Sequence, residues 1–227
     1  MISVAPMMDW TDRHCRYFLR LVSPRAFLYT EMVTANALHY GDAESLLRYD
    51  PSEHPIAIQL GGSDPAMMAE AAALAGEAGY DEVNINVGCP SDRVQSGQFG
   101  ACLMGQPELV ARCYSEMQSS VDVPVTVKSR IGIDDHDSDE FFMRFVDTIA
   151  AAGCRQFIVH ARIAILEGLS PKENRSVPPL NYERVYRLKE AHPEMQVIIN
   201  GGFTTIEQVD SALQHVDGVM IGRQAYH

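Results

Sequence analysis

Residues 196–223 read Gln196-Val197-Ile198-Ile199-Asn200-Gly201-Gly202-Phe203-Thr204-Thr205-Ile206-Glu207-Gln208-Val209-Asp210-Ser211-Ala212-Leu213-Gln214-His215-Val216-Asp217-Gly218-Val219-Met220-Ile221-Gly222-Arg223. The β-branched run 196–200 is stopped by two glycines, as a strand entering a tight turn is. Thr204-Thr205-Ile206-Glu207 resembles a capped helix start, and helical periodicity carries on through 205–215. A second apolar run at 218–221 follows and closes on Gly222-Arg223. The stretch is therefore strand, turn, helix, strand.

The same unit recurs toward the N-terminus. Strand-like runs fall at 2–5, 27–33, 55–60, 82–87, 125–128 and 156–160, giving eight with the two above. Helical patterns lie between them at 65–78, 107–119, 140–152 and 182–191. Repeated βα units need right-handed parallel crossovers, and eight of them predict an α/β fold, a closed TIM (β/α)8 barrel. The competing open doubly wound sheet loses support because no Gly-x-Gly-x-x-Gly follows the first strand; Ala5-Pro6-Met7-Met8-Asp9 stands there. The sequence ends at Tyr226-His227, just after the eighth strand, so the expectation is one barrel over 1–227 without its last helix.

Composition agrees with a folded chain. The 227 residues are 46% hydrophobic and 21% charged, which excludes disordered and collagen-like classes. Five scattered cysteines without a Cys-x-x-Cys pair argue against a disulfide framework or a zinc site, and no metal site is expected. Asp9, Asp12, Arg13, His14 and Arg16 interrupt the first twenty residues, so neither a secretory leader nor a membrane span is expected. The expectation is a soluble protein of the reducing cytoplasm with no protein partner. Eighteen basic against thirty acidic residues leave a net charge of −12, which argues against bulk nucleic-acid affinity.

Barrel chemistry takes place at the C-terminal ends of the strands, and here those ends are polar. Asn200-Gly201-Gly202 and Gly222-Arg223 suit a phosphate, with backbone N–H groups exposed by glycine and an Arg fork beside them; a plain tight turn is the bland alternative. Lys128 ends the apolar strand Val125-Thr126-Val127, so its ammonium needs an anion. A Schiff base, a cation beside a reduced cofactor and a structural ion pair all remain open for it. Gln59 and His160 close similar strands. Cys89, between Gly88 and Pro90 and beside Asn84 and Asn86, reads as an acid or nucleophile, or as a small buried hydrophobe. Cys15, Cys113 and Cys154 take the hydrophobe reading.

Taken together, Ala5-Pro6-Met7-Met8-Asp9, Gln59-Leu60-Gly61-Gly62, Asn84-Ile85-Asn86-Val87-Gly88-Cys89-Pro90, Lys128-Ser129-Arg130-Ile131-Gly132, His160-Ala161-Arg162, Asn200-Gly201-Gly202 and Gly222-Arg223 resemble the tRNA-dihydrouridine synthases. Gly168-Leu169-Ser170-Pro171-Lys172-Glu173-Asn174-Arg175 is similar to their A subfamily. The resemblance implies an FMN enzyme that uses NADPH to reduce D-loop uridines of tRNA, U20 and U20a, to 5,6-dihydrouridine. It implies Pro6, Met7 and Met8 along the flavin, Gln59 on its ring, Lys128 at its N1/O2 edge and His160 beside it. Asn200, Gly201, Gly202, Gly222 and Arg223 would hold the phosphate, Cys89 would donate the proton, and Asn86, Lys172 and Arg175 would meet the RNA.

In that chemistry a hydride reaches C6 of uracil and a proton reaches C5. The donor thiol must stay protonated at neutral pH, as one of ordinary acidity (~8.5) does, so Cys89 is expected to lack a close permanent cation. The uridine must leave its stack to be reached. Arg93, Arg130, Arg162, Lys172, Arg175 and Arg223 follow strand ends and predict a basic mouth despite the net charge. The acidic run 134–140 on the same face reads as a solvated helix start. Two features depart from the family: Ile163-Ala164-Ile165-Leu166 replaces a basic residue and an aromatic, and the helical C-terminal domain that grips tRNA is absent. Two further readings remain: an FMN barrel acting on a free pyrimidine, as dihydroorotate dehydrogenase does, and a silent barrel that only binds flavin or RNA.

Overall fold

The structure is a computed structural model and describes residues 1–226, apart from the side chains of Asp92 and Arg93. The Arg93 side chain and His227, both named above, lie outside the described residues. Eight parallel strands form the barrel: β1 (Ile2–Val4), β2 (Leu28–Thr34), β3 (Ile56–Gly61), β4 (Glu82–Val87), β5 (Val125–Ser129), β6 (Gln156–His160), β7 (Gln196–Asn200) and β8 (Gly218–Ile221). Each lies within a residue of its sequence expectation. Ladders join every neighbouring pair from β1 through β8 around to β2. Between β1 and β2 the wall closes on one bridge, Ser3 to Phe27, with Val4 N–H donating to Phe27 O at 2.9 Å and Phe27 N–H to Ile2 O at 3.0 Å.

Among the described residues the helices are α1 (Arg13–Val22), α2 (Ala35–Tyr40), α3 (Ala43–Leu46), α4 (Pro65–Glu77), α5 (Asp92–Ser96), α6 (Pro107–Ser120), α7 (Asp139–Ala151), α8 (Tyr182–Ala191) and α9 (Ile206–Ala212). Side-chain caps start most of them: Asp64 for α4, Ser138 for α7, Asn181 for α8 and, in a capping box with Gln208, Thr205 for α9. Helix α9 stops at Ala212, short of the expected 215, where the backbone tightens into turns through His215. The outer core fills the space between strands and helices; Phe142 and Phe145 of α7 are fully buried there, each contributing roughly 1.5–3 kcal/mol. Inside the barrel, Ala5, Tyr29, Ala57, Ile158, Ile198 and Met220 form a smaller apolar cluster.

Helix α1 is built the other way round. Arg16 and Arg20 are buried while Phe18, Leu21 and Val22 are more than 60% exposed. The arginines are not orphaned, because Arg16 Nε meets Glu53 Oε2 at 2.5 Å and Arg20 Nη2 donates to the carbonyls of Glu53 and Pro55. Arg16 Nη1 also donates to Thr11 O at 2.7 Å, and Thr11 Oγ1 accepts from Met7 N–H at 2.9 Å. The turn that follows β1 is thereby tied to the barrel's outer wall.

Candidate active site

The strand ends open into one cavity of about 1280 Å3. Of the residues singled out from sequence, Pro6, Met7, Met8, Gln59, Asn86, Cys89, Lys128, His160, Asn200, Gly201, Gly202, Gly222, Arg223 and Arg175 all line it. Lys172 does not; it is exposed at the start of the turn Glu173–Arg175, beside the rim. The backbone at Asp9, just beyond Met8, has φ +65, and its N–H donates to Glu31 Oε1 at 2.5 Å, which fixes the turn.

Cys89 is half-buried, and its loop is held from three sides. Asn86 Oδ1 accepts from the N–H groups of Gly88 at 3.1 Å and Cys89 at 3.0 Å. The Cys89 carbonyl accepts from Ala101 N–H at 2.9 Å. Gln95 Nε2 donates both to Pro90 O at 2.9 Å and to Leu166 O at 2.8 Å, lashing this loop to the one after β6. The thiol itself lies 3.5 Å from Ser91 Oγ. Sequence reading passed over Gln95, because nothing local marks a glutamine one of whose partners, Leu166, lies 71 residues along the chain.

Cations stand around the cysteine loop, although among the described residues none hydrogen-bonds the Cys89 thiol. Arg130 Nε donates to Gly88 O at 3.2 Å, and Lys128, Arg130 and Arg175 each interact electrostatically with Cys89. The reason is the fold of the β5 end: Arg130 turns back under the cysteine loop and holds the carbonyls of Ile163 and Asn174 as well. Asn174, fully buried, is the knot of the Lys172–Arg175 region; its amide bonds Ile165 N–H and O and the carbonyl of Leu169. The departing stretch 163–166 is thus backbone scaffold, with Ala164 buried against Ile133.

Lys128, Arg130, Arg175 and Arg223 line the cavity, and none forms an ion pair with a carboxylate among the described residues. Arg16, which also lines the cavity, does pair, with Glu53, and elsewhere Arg144, Arg184, Arg187 and Lys189 do. Burial, with the charge of Arg130 added, lowers Lys128 to about 8. Burial lowers Arg130 to about 10, and burial followed by the Arg130 and Lys128 charges holds His160 well below its ordinary value. His160 is therefore a neutral imidazole at pH 7. The acidic run does start α7, as expected, but Asp137 and Asp139 also pair with Arg184, with Asp139 at 2.7 Å. Two of its five acids are thus paired with Arg184.

The Gly201-Gly202 turn has φ +117 and +77. A Cβ on Gly201 would stand 2.7 Å from His160 Cδ2, so Gly201→Ala should cost about 1–3 kcal/mol and lower the thermal midpoint by several degrees. A midpoint unchanged in a melting scan would mean the turn relaxes freely. Asn200 ends β7 below it, its Nδ2 donating to Met220 O at 2.8 Å.

Among the described residues no group of His, Cys, Asp and Glu side chains is arranged to hold a metal ion, and no helix is long and apolar enough to cross a membrane. The family model described as "Dihydrouridine synthase (Dus)" matches residues 3–227. The chain is 62% identical over 224 residues to the tRNA-dihydrouridine(20/20a) synthase of Shewanella oneidensis, covering 99% of this chain and 67% of that protein. It is 60% identical to the proteins of the same name from Xanthomonas axonopodis pv. citri and Escherichia coli K12, covering 68% and 65% of their lengths. The chain thus spans about two thirds of the length of these relatives. With the barrel, the polar strand ends and the match over nearly every residue in agreement, the chain belongs to the dihydrouridine synthase family.

Proposed function

We propose that this chain is the catalytic barrel of a flavin-dependent tRNA-dihydrouridine synthase, reducing U20 and U20a of the D-loop with FMN and NADPH in the cytoplasm. The observation that carries the reading is the set of four cations, Lys128, Arg130, Arg175 and Arg223, which line a cavity whose rim holds a fixed cysteine and have no carboxylate partner among the described residues. Such a pocket takes a polyanion. A flavin mononucleotide fits on two further counts: the Gly201-Gly202 turn leaves no room for a Cβ, and Gln59 offers an amide on the floor.

When bound, the flavin supplies the hydride that goes to C6 of uracil. Asn200, Gly201, Gly202, Gly222 and Arg223 hold its phosphate, Pro6, Met7 and Met8 flank its ring system, Gln59 hydrogen-bonds it, and His160 packs beside it. Lys128 supplies positive charge at the edge where negative charge gathers. Cys89 holds a proton on Sγ and delivers it to C5, so that hydride and proton together make the dihydro ring. Arg175 and Lys172 meet the RNA backbone, and Asn86 presents its remaining amide hydrogen to the flipped base. The local basic mouth answers the net charge of −12, since only the rim meets phosphate.

The test is tRNA dihydrouridine content after incubating unmodified tRNA with FMN, NADPH and the chain, alone and extended to the relatives' full length. Product at U20 and U20a supports the reading, and product from the long form only assigns tRNA grip to the added third. Reduction of a free pyrimidine without any reduction of tRNA would replace it.

A further inference from the structure

Below the cavity lies a row of polar side chains that the chemistry above leaves without a role. At its foot Glu82, the first residue of β4, is 4% exposed. Its carboxylate accepts from Tyr29 Oη at 2.7 Å, Thr126 Oγ1 at 2.6 Å and Gln156 Nε2 at 2.9 Å. From there the bonds run to the cysteine loop without a break. Asn84 Nδ2 donates to Thr126 Oγ1 at 2.8 Å, Gln59 Nε2 to Asn84 Oδ1 at 2.8 Å, Asn86 Nδ2 to Gln59 Oε1 at 2.7 Å, and Cys89 N–H to Asn86 Oδ1 at 3.0 Å. The strand register supports this, because Gln59, Asn84 and Thr126 are neighbours across β3, β4 and β5.

Every link donates toward Glu82. The single hydrogen of the Thr126 hydroxyl is committed to Glu82 Oε1, so Thr126 must in turn accept from Asn84. Each primary amide then has one permitted orientation, since turning any of them over sets two N–H groups or two oxygens face to face. Glu82 and Thr126 do not reach the cavity, but Gln59, Asn86 and Cys89 do. We infer that Glu82 and Thr126 are positioning residues: through Asn84 they dictate which end of the Gln59 amide faces the bound ligand and where Asn86 holds the Cys89 loop. The inference rests on the roles proposed above for Cys89 and Gln59.

Thr126→Val keeps the shape and removes the hydroxyl. Loaded with flavin, it is expected to form dihydrouridine at least tenfold more slowly in kcat with KM for tRNA within about twofold, while Thr126→Ser restores the rate. A role confined to stability would lower the melting temperature of Thr126→Val and leave kcat of the folded enzyme unchanged. Wild-type kcat in Thr126→Val, alongside an inactive Cys89→Ala, overturns the inference and leaves the proposed function standing. A wild-type chain, extended to full length, that binds flavin and oxidises NADPH yet makes no product removes the function and the inference with it. Should Thr126→Val not fold, the wild-type protein decides: the side-chain amide NMR signals of Gln59, Asn84 and Asn86 are expected in single, slowly exchanging states. Fast exchange or averaged signals at these three overturn the inference.

Discussion

Cys89→Ala is expected to retain bound flavin and NADPH-driven flavin reduction while losing dihydrouridine formation by about 10²–10⁴-fold, the usual worth of a general acid. The thiol is small, half-buried and at the edge of the core, so its removal is expected to leave the fold intact. What it removes is the proposed proton source, while the loop is held by Asn86, Gln95 and Ala101 through atoms that alanine keeps. Flavin absorbance, anaerobic NADPH oxidation and tRNA dihydrouridine content, measured on one preparation, separate the three steps. Undiminished product would move the acid elsewhere on the rim.

Lys128→Met should divide stability from function. Between about 8, where burial places Lys128 in the folded chain, and its ordinary 10.5, the unfolded chain binds more protons than the folded one, so this residue's contribution to stability rises with pH across that window. Below pH 8 the buried charge costs on the order of 3 kcal/mol, each pKa unit being worth about 1.4. The flavin-free variant should therefore melt above the wild type at pH 7, with the gap closing as pH climbs toward 10.5. With flavin the order of merit reverses, since charge stabilisation at a developing anion is worth roughly 10²–10³ in rate. Stopped-flow reduction by NADPH should slow by about that factor. Equal rates, or a lower flavin-free melting point at pH 7, would return Lys128 to a structural role.

How much of this was legible depends on the range of the interaction. The strands could be read because each is a short apolar run bounded by glycine, proline or polar residues, and their polar ends identified the cavity lining. Helix α1 falls outside the helical patterns read from the sequence, because Arg16 and Arg20 put charge on the face that is buried only once Glu53 is folded beneath them. Arg130 looked like one more basic strand end, and only the folded loop brings it under Gly88. The chain of amides from Thr126 to Cys89 needs the register of three strands, which no local pattern encodes.

The seam between β1 and β2 gives the barrel a weak meridian. Elsewhere around the wall, neighbouring strands share a ladder, but here two backbone hydrogen bonds carry the closure. At roughly 0.5–1.5 kcal/mol each, they leave this line the easiest to part when the barrel distorts from circular toward oval. Pro6, Met7 and Met8 lie directly beyond its β1 side, anchored separately through Thr11 and Arg16. That meridian therefore parts more readily than the laddered strand pairs, while the turn at Pro6, Met7 and Met8 is carried by the outer wall, so that elastic give and a fixed edge coexist on adjacent residues.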